Sequence, residues 1–399
     1  MSKLKKSFIM EGARTPFGRM GGALHTMSAM ELGGSAMAEA LRRSELRADE
    51  VDEVIVGHVL QGGQGQLTSR QAARVALIPW EVKTETINKV CASGMRSITL
   101  ADQIIRSGDG SKIVAAGMES MSQAPHFTKS VRFGQKMGDI SLIDSMVHDG
   151  LTCSFESVHM GVYGNESATK FGIGREEQDR FAYESHKRAK NAQEAGKFAE
   201  EIVKVTVKSR RGDVVVKEDE AIRHDIQLEA LEKLSPVFGK DGTITAGNAP
   251  GVNDGASAVV VMDEASVKAS GKKPLAEIIG HTAIAVETER FPETPGLIIE
   301  KLCEKTGINV EQVDLFELNE AFSMVALVGK QLGGIPEDKL NVNGGAVALG
   351  HPIGASGNRI VLTLAYELRR RGGGIGIAAI CSGGGQGDAI MIKVPSSSY

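Results

Sequence analysis

The sequence predicts an α/β protein made of two similar halves, with a region of different texture inserted into the first. Three observations carry that expectation. Strand-like apolar runs alternate with segments of helical spacing, the pattern of βαβ units around a mostly parallel sheet. Two stretches recur at a fixed distance. Val51-Asp-Glu-Val-Ile55 matches Val313-Asp-Leu-Phe-Glu317 at 262 residues, and Cys91-Ala-Ser-Gly-Met-Arg96 matches Gly354-Ala-Ser-Gly-Asn-Arg359 at 263. Offsets that agree to one residue imply a duplicated fold, whose corresponding turns meet at a pseudo-two-fold axis. Finally, from about Met121 to Gly247 the alternation lapses, which marks an insertion.

The elements follow in order. Phe8-Ile9-Met10 opens a first strand, and Gly12 to Gly18 is a turn-rich loop. Met30 to Leu41 has helical periodicity, Val51 to Val59 is a buried strand closed by Gly62 to Gly65, and Ser69 to Leu77 is helical. A second strand ends at Thr86-Ile87. Met95, Ile98, Ala101 and Ile105 then space a helix, and Lys112 to Ser120 makes a further strand. In the inserted region the one strong helix is Arg175 to Gly196, acidic early and basic late, its charged faces solvated. Two strand-like pieces, Ile202 to Val207 and Val214 to Lys217, follow it. Thr243 to Val261 returns to glycine-rich turn plus strand.

Composition narrows the function. A chain of 399 residues suggests two or three domains, and 41% hydrophobic with 24% charged residues describes a soluble globular protein. Acids number 50 against 46 bases, and aromatics are 4%, so neither charge nor stacking platforms point to nucleic acid. The four cysteines form no C-x-x-C pair, which argues against a zinc ribbon or a disulfide scaffold and for a reducing, cytoplasmic setting. The N-terminus shows no signal core, and no apolar run reaches the ~18 residues of a membrane span.

Cys91 stands at a strand-to-helix turn, where free N–H groups and the helix dipole lower a thiol pKa. A lone cysteine is more often a small core residue. Three further loop tips change that weighting. Asn319-Glu-Ala-Phe322 follows a buried strand, His351 precedes a helix in Asn343-Gly-Gly-Ala…Gly350-His-Pro-Ile-Gly354, and Cys381 ends a strand before Gly383-Gly-Gly385. Each alone reads equally well as a cap, turn or core residue. Two cysteines, a histidine and an asparagine at loop tips of one duplicated core make a site. No Gly-Lys-Ser/Thr follows the glycines and no G-x-G-x-x-G follows the first strand, so a nucleotide enzyme is disfavoured. Cys, His and Asn allow a cysteine hydrolase. A second thiol suits better a nucleophile with a proton-transferring partner, as carbon–carbon bond chemistry on an acylated enzyme requires.

Asn88-Lys-Val-Cys-Ala-Ser-Gly-Met95, Gly117-Met-Glu-Ser-Met-Ser122, Asn319-Glu-Ala-Phe322, the Asn343 to Gly354 stretch and Cys381-Ser-Gly-Gly-Gly385 together resemble the signatures of the thiolases. The resemblance runs from Gly12-Ala-Arg-Thr-Pro-Phe-Gly18 to Gly387. It implies the thiolase fold: duplicated βαβαβαββ halves in five layers, α-β-α-β-α, with an inserted loop domain. The boundaries would be 1–120 for the N-terminal half, completed by 248–272, then 121–247 for the loop domain and 273–399 for the C-terminal half.

The likeness is to the acetyl-CoA-using thiolases, which condense two acetyl-CoA to acetoacetyl-CoA and CoA, or run the reverse thiolysis. The alternatives it leaves are a broader 3-ketoacyl-CoA thiolase and a catalytically silent CoA-ester-binding relative. It implies Cys91 as nucleophile, His351 as its activator and an oxyanion-hole donor, Cys381 as acid/base, Asn319 as holder of an oxyanion-hole water, and the N–H groups of Cys91 and Gly383 as a second hole. CoA contacts would fall to Leu151, His159, Met160, Arg223, Leu234, Phe238, Ala246, Pro250, Gly251, Ala321 and Phe322. No metal and no resident cofactor is implied, and CoA enters as substrate. The family's habit is a homodimer or homotetramer. Three positions depart from its pattern: Pro250 stands where serine is common, Phe291-Pro-Glu-Thr-Pro295 replaces a Met-Gly-x-Gly-Pro run, and Ser382 replaces an apolar residue. Cys153 and Cys303 match nothing catalytic and are expected in the core.

Overall fold

A computed structural model describes residues 5–210 and 212–396. The outermost residues of the two expected halves, 1–4 and 397–399, lie outside the described residues. The first half runs β1 (Ser7–Arg14), α1 (Ala29–Ser44), β2 (Glu53–Gly57), α2 (Thr68–Val75), β3 (Lys83–Ile87), α3 (Ser93–Ser107) and β4 (Lys112–Ser120). Its inserted segment contains α4 (Met160–Phe171) and α5 (Arg175–Glu194), and the chain then returns through β5 (Asn253–Asp263). The second half follows as β6 (Ala276–Ala285), α6 (Thr294–Thr306), β7 (Leu315–Leu318), α7 (Ser323–Gly333), α8 (Ile353–Arg370), β8 (Gly374–Ser382) and β9 (Gln386–Val394).

The strands form one path, β7-β8-β9-β6-β1-β5-β4-β2-β3. Among the described residues the strands of the two halves pair only at Phe8↔Glu277 and Ile9↔Ala276, a two-residue seam between two otherwise separate sets of strands. The alternation of side chains along a strand then makes the layers. Val54 and Val56 face α1 and its Leu32, Ala36 and Met37, whereas Ile55 between them faces the centre with Ile98 and Ile105 of α3. In the second half Ala378 and Ile380 face that same centre, and Ile377 and Ala379 face Ile298 and Leu302 of α6. The order is α1/α2, sheet, α3/α8, sheet, α6/α7: five layers. Helix α8 is buried from Ile353 through Leu368, as a central element must be.

Glycine makes the central crossing possible. A Cβ on Gly94 would lie 2.8 Å from both Asn358 N and Gly354 O, and one on Gly357 would lie 2.5 Å from Met95 N. Gly94 and Gly357 are repeat partners, so the Ala-Ser-Gly recurrence marks the place where the two buried helices touch. This contact sets the loop of Cys91 beside the loop of His351.

Several expectations are corrected. The sheet is mixed: only β2–β3, β2–β4 and β7–β8 pair in parallel, while the pairings through β1, β5, β6 and β9 are antiparallel. Doubly buried strands are apolar on both faces and carry no sign of strand direction. β1 also runs on through Arg14, into the stretch expected as loop. The inserted segment holds a second substantial helix, α4, whose Gly161 and Gly164 weaken its helical signal but give room to Phe238 and Ile244. The face of α5 is not simply solvated, since Gln178, Asp179, Ser185 and His186 are buried.

In the second half the strand matching β3 shrinks to one bridge, Phe316↔Leu340. Asn341 takes the left-handed conformation there, φ 44°. Its side-chain amide bonds the N–H and C=O of Leu318, both at 2.9 Å, as a strand neighbour would. Among the described residues no helix is long and apolar enough to cross a membrane.

Candidate active site

The turn after β3 is tightly built. Asn88 Oδ1 accepts from Val90 N at 2.9 Å, and Ser93 Oγ accepts from Lys89 N at 2.8 Å while donating to Val90 O at 2.7 Å. Val90 pays with a φ of 46°, a left-handed conformation that a β-branched residue rarely takes. Such strain, of order 1–3 kcal/mol, gathers where a following group must be presented at a fixed angle. That following group is Cys91.

Hydrogen bonds reach the Cys91 sulfur from the N–H groups of Gly383 and Cys91 itself. They do not make it acidic. Loss of water prevails, the Glu119 carboxylate adds to it, and the thiol is pushed up to about 11. The expected lowering by the helix start is therefore overturned, because α3 begins two residues later, at Ser93, and desolvation outweighs the N–H bonds. The thiol is protonated at rest and needs a base.

His351 is placed to be that base. Its backbone N–H donates to Asn253 Oδ1 at 3.0 Å, and the preceding Gly350, φ 106°, has Asn253 where a Cβ would stand. Burial, then the charge of Arg359, pulls the imidazole down to about 3, so it is neutral. Nδ1 lies 2.6 Å from Ser356 Oγ, which also reaches Pro352 O at 3.0 Å. The hydroxyl can accept from Nδ1–H while donating to Pro352 O, or donate to Nδ1 instead. The first arrangement leaves Nε2 a lone pair, the second an N–H. Nε2 has no partner among the described residues.

Cys381 is the last residue but one of β8 and fully buried, and burial followed by the neighbouring Cys91 charge raises its pKa well above the ordinary thiol range. The two sulfurs thus share one electrostatic environment. Asn319 follows β7, tied by its N–H to Ala379 O at 3.0 Å. Its side chain is fully buried, and neither Oδ1 nor Nδ2 has a partner among the described residues. Buried polar atoms are rarely left so.

A cavity of about 190 Å³ is lined by Cys91, His351 and Gly383 together with Leu151, His159, Met160, Phe238, Pro250, Gly251, Ala321 and Phe322, while Cys381 and Asn319 are buried and do not line it. His159 stacks on Phe238 with centroids 4.3 Å apart, and Phe322 meets Phe238 edge-on at 6.0 Å. Arg223, Leu234 and Ala246 do not line it. Arg223 Nη2 bonds Ala246 O at 3.1 Å, and Arg223 and Leu234 border a separate open cleft of about 420 Å³.

Cys153 is buried as expected and Cys303 half-buried. Among the described residues no group of three or more His, Cys, Asp or Glu could hold a metal ion.

Three residues that support the site, Glu119, Asn253 and Ser356, escaped the sequence reading as individual residues. Glu119, fully buried, accepts from Gly354 N at 2.9 Å, Val59 N at 3.2 Å and Leu60 N at 3.0 Å, and so pins the start of α8 to the first half. Asn253 and Ser356 hold His351. Phe291 forms part of the cavity wall. Glu119 alone had a signal, a carboxylate at a buried strand end.

Fold and site together define a thiolase. Residues 7–265 match the family model for the thiolase N-terminal domain and 272–394 that for the thiolase C-terminal domain; the chain belongs to the thiolase family. It is 46% identical to an acetyl-CoA acetyltransferase of Chromobacterium violaceum, over 97% of this chain and 99% of that one. It is 43% identical to a probable acetyl-CoA acyltransferase of Staphylococcus epidermidis, over 98% and 99%. The crystal structure of the Bacillus anthracis acetyl-CoA acetyltransferase superposes with a TM-score of 0.97 at 39% identity, covering 99% of this chain and all of that one.

Proposed function

We propose that this thiolase is an acetyl-CoA C-acetyltransferase, joining two acetyl-CoA into acetoacetyl-CoA and CoA and catalysing the reverse thiolysis. The observation that carries it is a cavity lined by Cys91 and by an imidazole whose Nε2 has no partner among the described residues, with a second thiol, Cys381, buried near enough to feel the Cys91 charge. His351 Nε2 takes the Cys91 proton as sulfur attacks the thioester carbonyl. The N–H groups of Cys91 and Gly383 hold the oxygen as it becomes negative. The bond to the CoA sulfur breaks, and that sulfur leaves with the proton from His351. Nε2 of His351 then takes the Cys381 proton, and the resulting thiolate removes an α-proton from the second acetyl-CoA. A water on Asn319 and the Nε2–H of His351 hold the enolate oxygen. The enolate carbon attacks the acetyl group, the Cys91 sulfur leaves with the Nε2 proton, and acetoacetyl-CoA is released. One well-placed oxyanion donor is worth about 3–4 kcal/mol.

The inserted segment, 121–247, supplies the CoA platform in this reading, between an N-terminal half of 1–120 completed by 248–272 and a C-terminal half of 273–399. The apolar lining suits a pantetheine arm, and Arg223 at the outer cleft suits the nucleotide end. Pro250 offers that arm no hydroxyl. Phe291 closes a cavity of about 190 Å³, which favours a short acyl group over the broader 3-ketoacyl-CoA reading. A homodimer or homotetramer is part of the proposal, supported by Phe133 and Met137, 96% and 90% exposed on the inserted segment; light scattering on the purified protein tests it.

Radiolabelled acetyl-CoA should leave its label on Cys91 in the wild type and in Cys381→Ala, and only the wild type should go on to condense. No label on Cys91 sinks the thiolase mechanism. A Cys381→Ala protein that still condenses removes the second thiol from it. Release of free acetate as the main product would favour a hydrolase, and no turnover at all would favour a silent CoA-ester binder. Equal thiolysis of acetoacetyl-CoA and a long 3-ketoacyl-CoA would favour the broader enzyme.

A further inference from the structure

The two N–H groups on the Cys91 sulfur come from opposite halves. One lies after β3, at one edge of the strand path, and the other after β8, near the far edge. No β ladder fixes their separation, so side chains must. Ser382, fully buried, donates from Oγ to Lys89 O at 2.6 Å. It stands one residue before Gly383, and Lys89 two before Cys91. Lys89 is held at its other end as well, through an ion pair between Nζ and Asp388 Oδ1. Asp388 pairs with Ile380 across the β8–β9 hairpin, next to the Cys381↔Gly387 pair. That hairpin turns through Gly384 and Gly385, φ 77° and 69°. Above it the strained Val90 faces Gly383, with 3.4 Å between Val90 Cγ1 and a Cβ placed on the glycine.

We propose that Ser382 is a positioning residue for the acyl-transfer step. Its hydrogen bond to the Lys89 carbonyl, seconded by the Lys89–Asp388 pair, clamps the nucleophile turn to the β8–β9 turn and sets the distance between the Cys91 and Gly383 donors. A donor pair must be held within about 0.5 Å of the productive geometry, and a misplacement of about 1 Å can cost ~100-fold. The proposal rests on the acyl-transfer reading above.

Two reactions of Cys91 separate this role from mere support. Acetylation by acetyl-CoA passes through a tetrahedral oxyanion and needs both donors. Alkylation by iodoacetamide is direct displacement of iodide at a saturated carbon and develops no oxyanion for them to hold. In Ser382→Ala, burst acetylation of Cys91 should fall roughly 10- to 100-fold while alkylation stays within about 3-fold of wild type. Asp388→Asn, which loosens Lys89 from its other end, should move the same ratio in the same direction by a smaller factor, and it carries the test if Ser382→Ala does not fold. Unchanged acetylation, or an equal fall in both reactions, overturns the proposal. A wild-type enzyme that alkylates but never acetylates overturns the acyl-transfer reading instead.

Discussion

Two buried asparagines on neighbouring loops allow a sharp test of the site. Asn319 is fully buried with both amide atoms unpartnered among the described residues. Asn341, 2% exposed, makes three hydrogen bonds of 2.9 Å, to Leu318 N, Leu318 O and Glu320 Oε1. Truncating Asn341 strands three buried groups, each costing about 1–3 kcal/mol when unpaired and partly relieved by entering water. It also places alanine at φ 44°, for a net loss near 2–4 kcal/mol. Truncating Asn319 strands nothing in the protein. It removes two unpartnered polar atoms and a little packing, which cancel to within about 1 kcal/mol. The catalytic effect should run the other way. Asn319→Ala should lower kcat for thiolysis ~100- to 1000-fold, the scale of a lost oxyanion donor, whereas Asn341→Ala should act mainly through the folded fraction. Thermal melts with thiolysis kinetics on both variants decide it. If Asn319→Ala melts as low as Asn341→Ala with kcat little changed, the amide is structural and the oxyanion argument is refuted.

Other outcomes follow from the same geometry. His351 is near 3 when folded against an ordinary value of 6.5. Between those values the folded state binds fewer protons than the unfolded one. Stability is therefore lost as pH falls through that window, with a slope approaching about 1.4 kcal/mol per pH unit; His351→Gln should flatten the urea midpoint measured from pH 4 to 6. A Cβ on Gly117 would stand 2.2 Å from Gly354 O, so Gly117→Ala should prise α8 from β4 at a cost of about 1–3 kcal/mol or more, read as a lower melting temperature; an unchanged melt contradicts the crossing. Phe291→Leu should thin the cavity wall and raise thiolysis of 3-ketohexanoyl-CoA relative to acetoacetyl-CoA several-fold, and an unmoved ratio would place the chain-length limit elsewhere.

What the sequence disclosed and what it withheld have separate physical causes. The duplication was legible because Ser-Gly recurs wherever two buried helices must touch, and Gly94 and Gly357 tolerate no Cβ there. Three of the four loop tips were legible because each sits where a strand ends, and a doubly wound core gathers its strand ends; His351 was legible through its place just before the repeated Gly354-Ala-Ser-Gly turn. Strand direction was not, since Val54 and Ile55 bury on opposite faces alike. The helix Met160–Phe171 was hidden by the two glycines that make room for Phe238 and Ile244.

The protonation state of Cys91 was withheld for a more general reason. A position beside a helix start argues for a thiolate, but solvation decides the pKa, and solvation depends on Glu119, Gly383 and the cavity wall, which come from distant segments. The same holds for Asn253 and Ser382, ordinary polar residues whose partners lie on distant segments. A thiol kept near 11 is consistent with the rest of the site. A standing thiolate beside a second cysteine would invite oxidation and alkylation, whereas a protonated one reacts only when substrate, His351 and both N–H donors are in place. The buried, neutral imidazole and the buried, unpartnered amide share that logic: groups that lack a partner at rest are those whose partner arrives with the substrate.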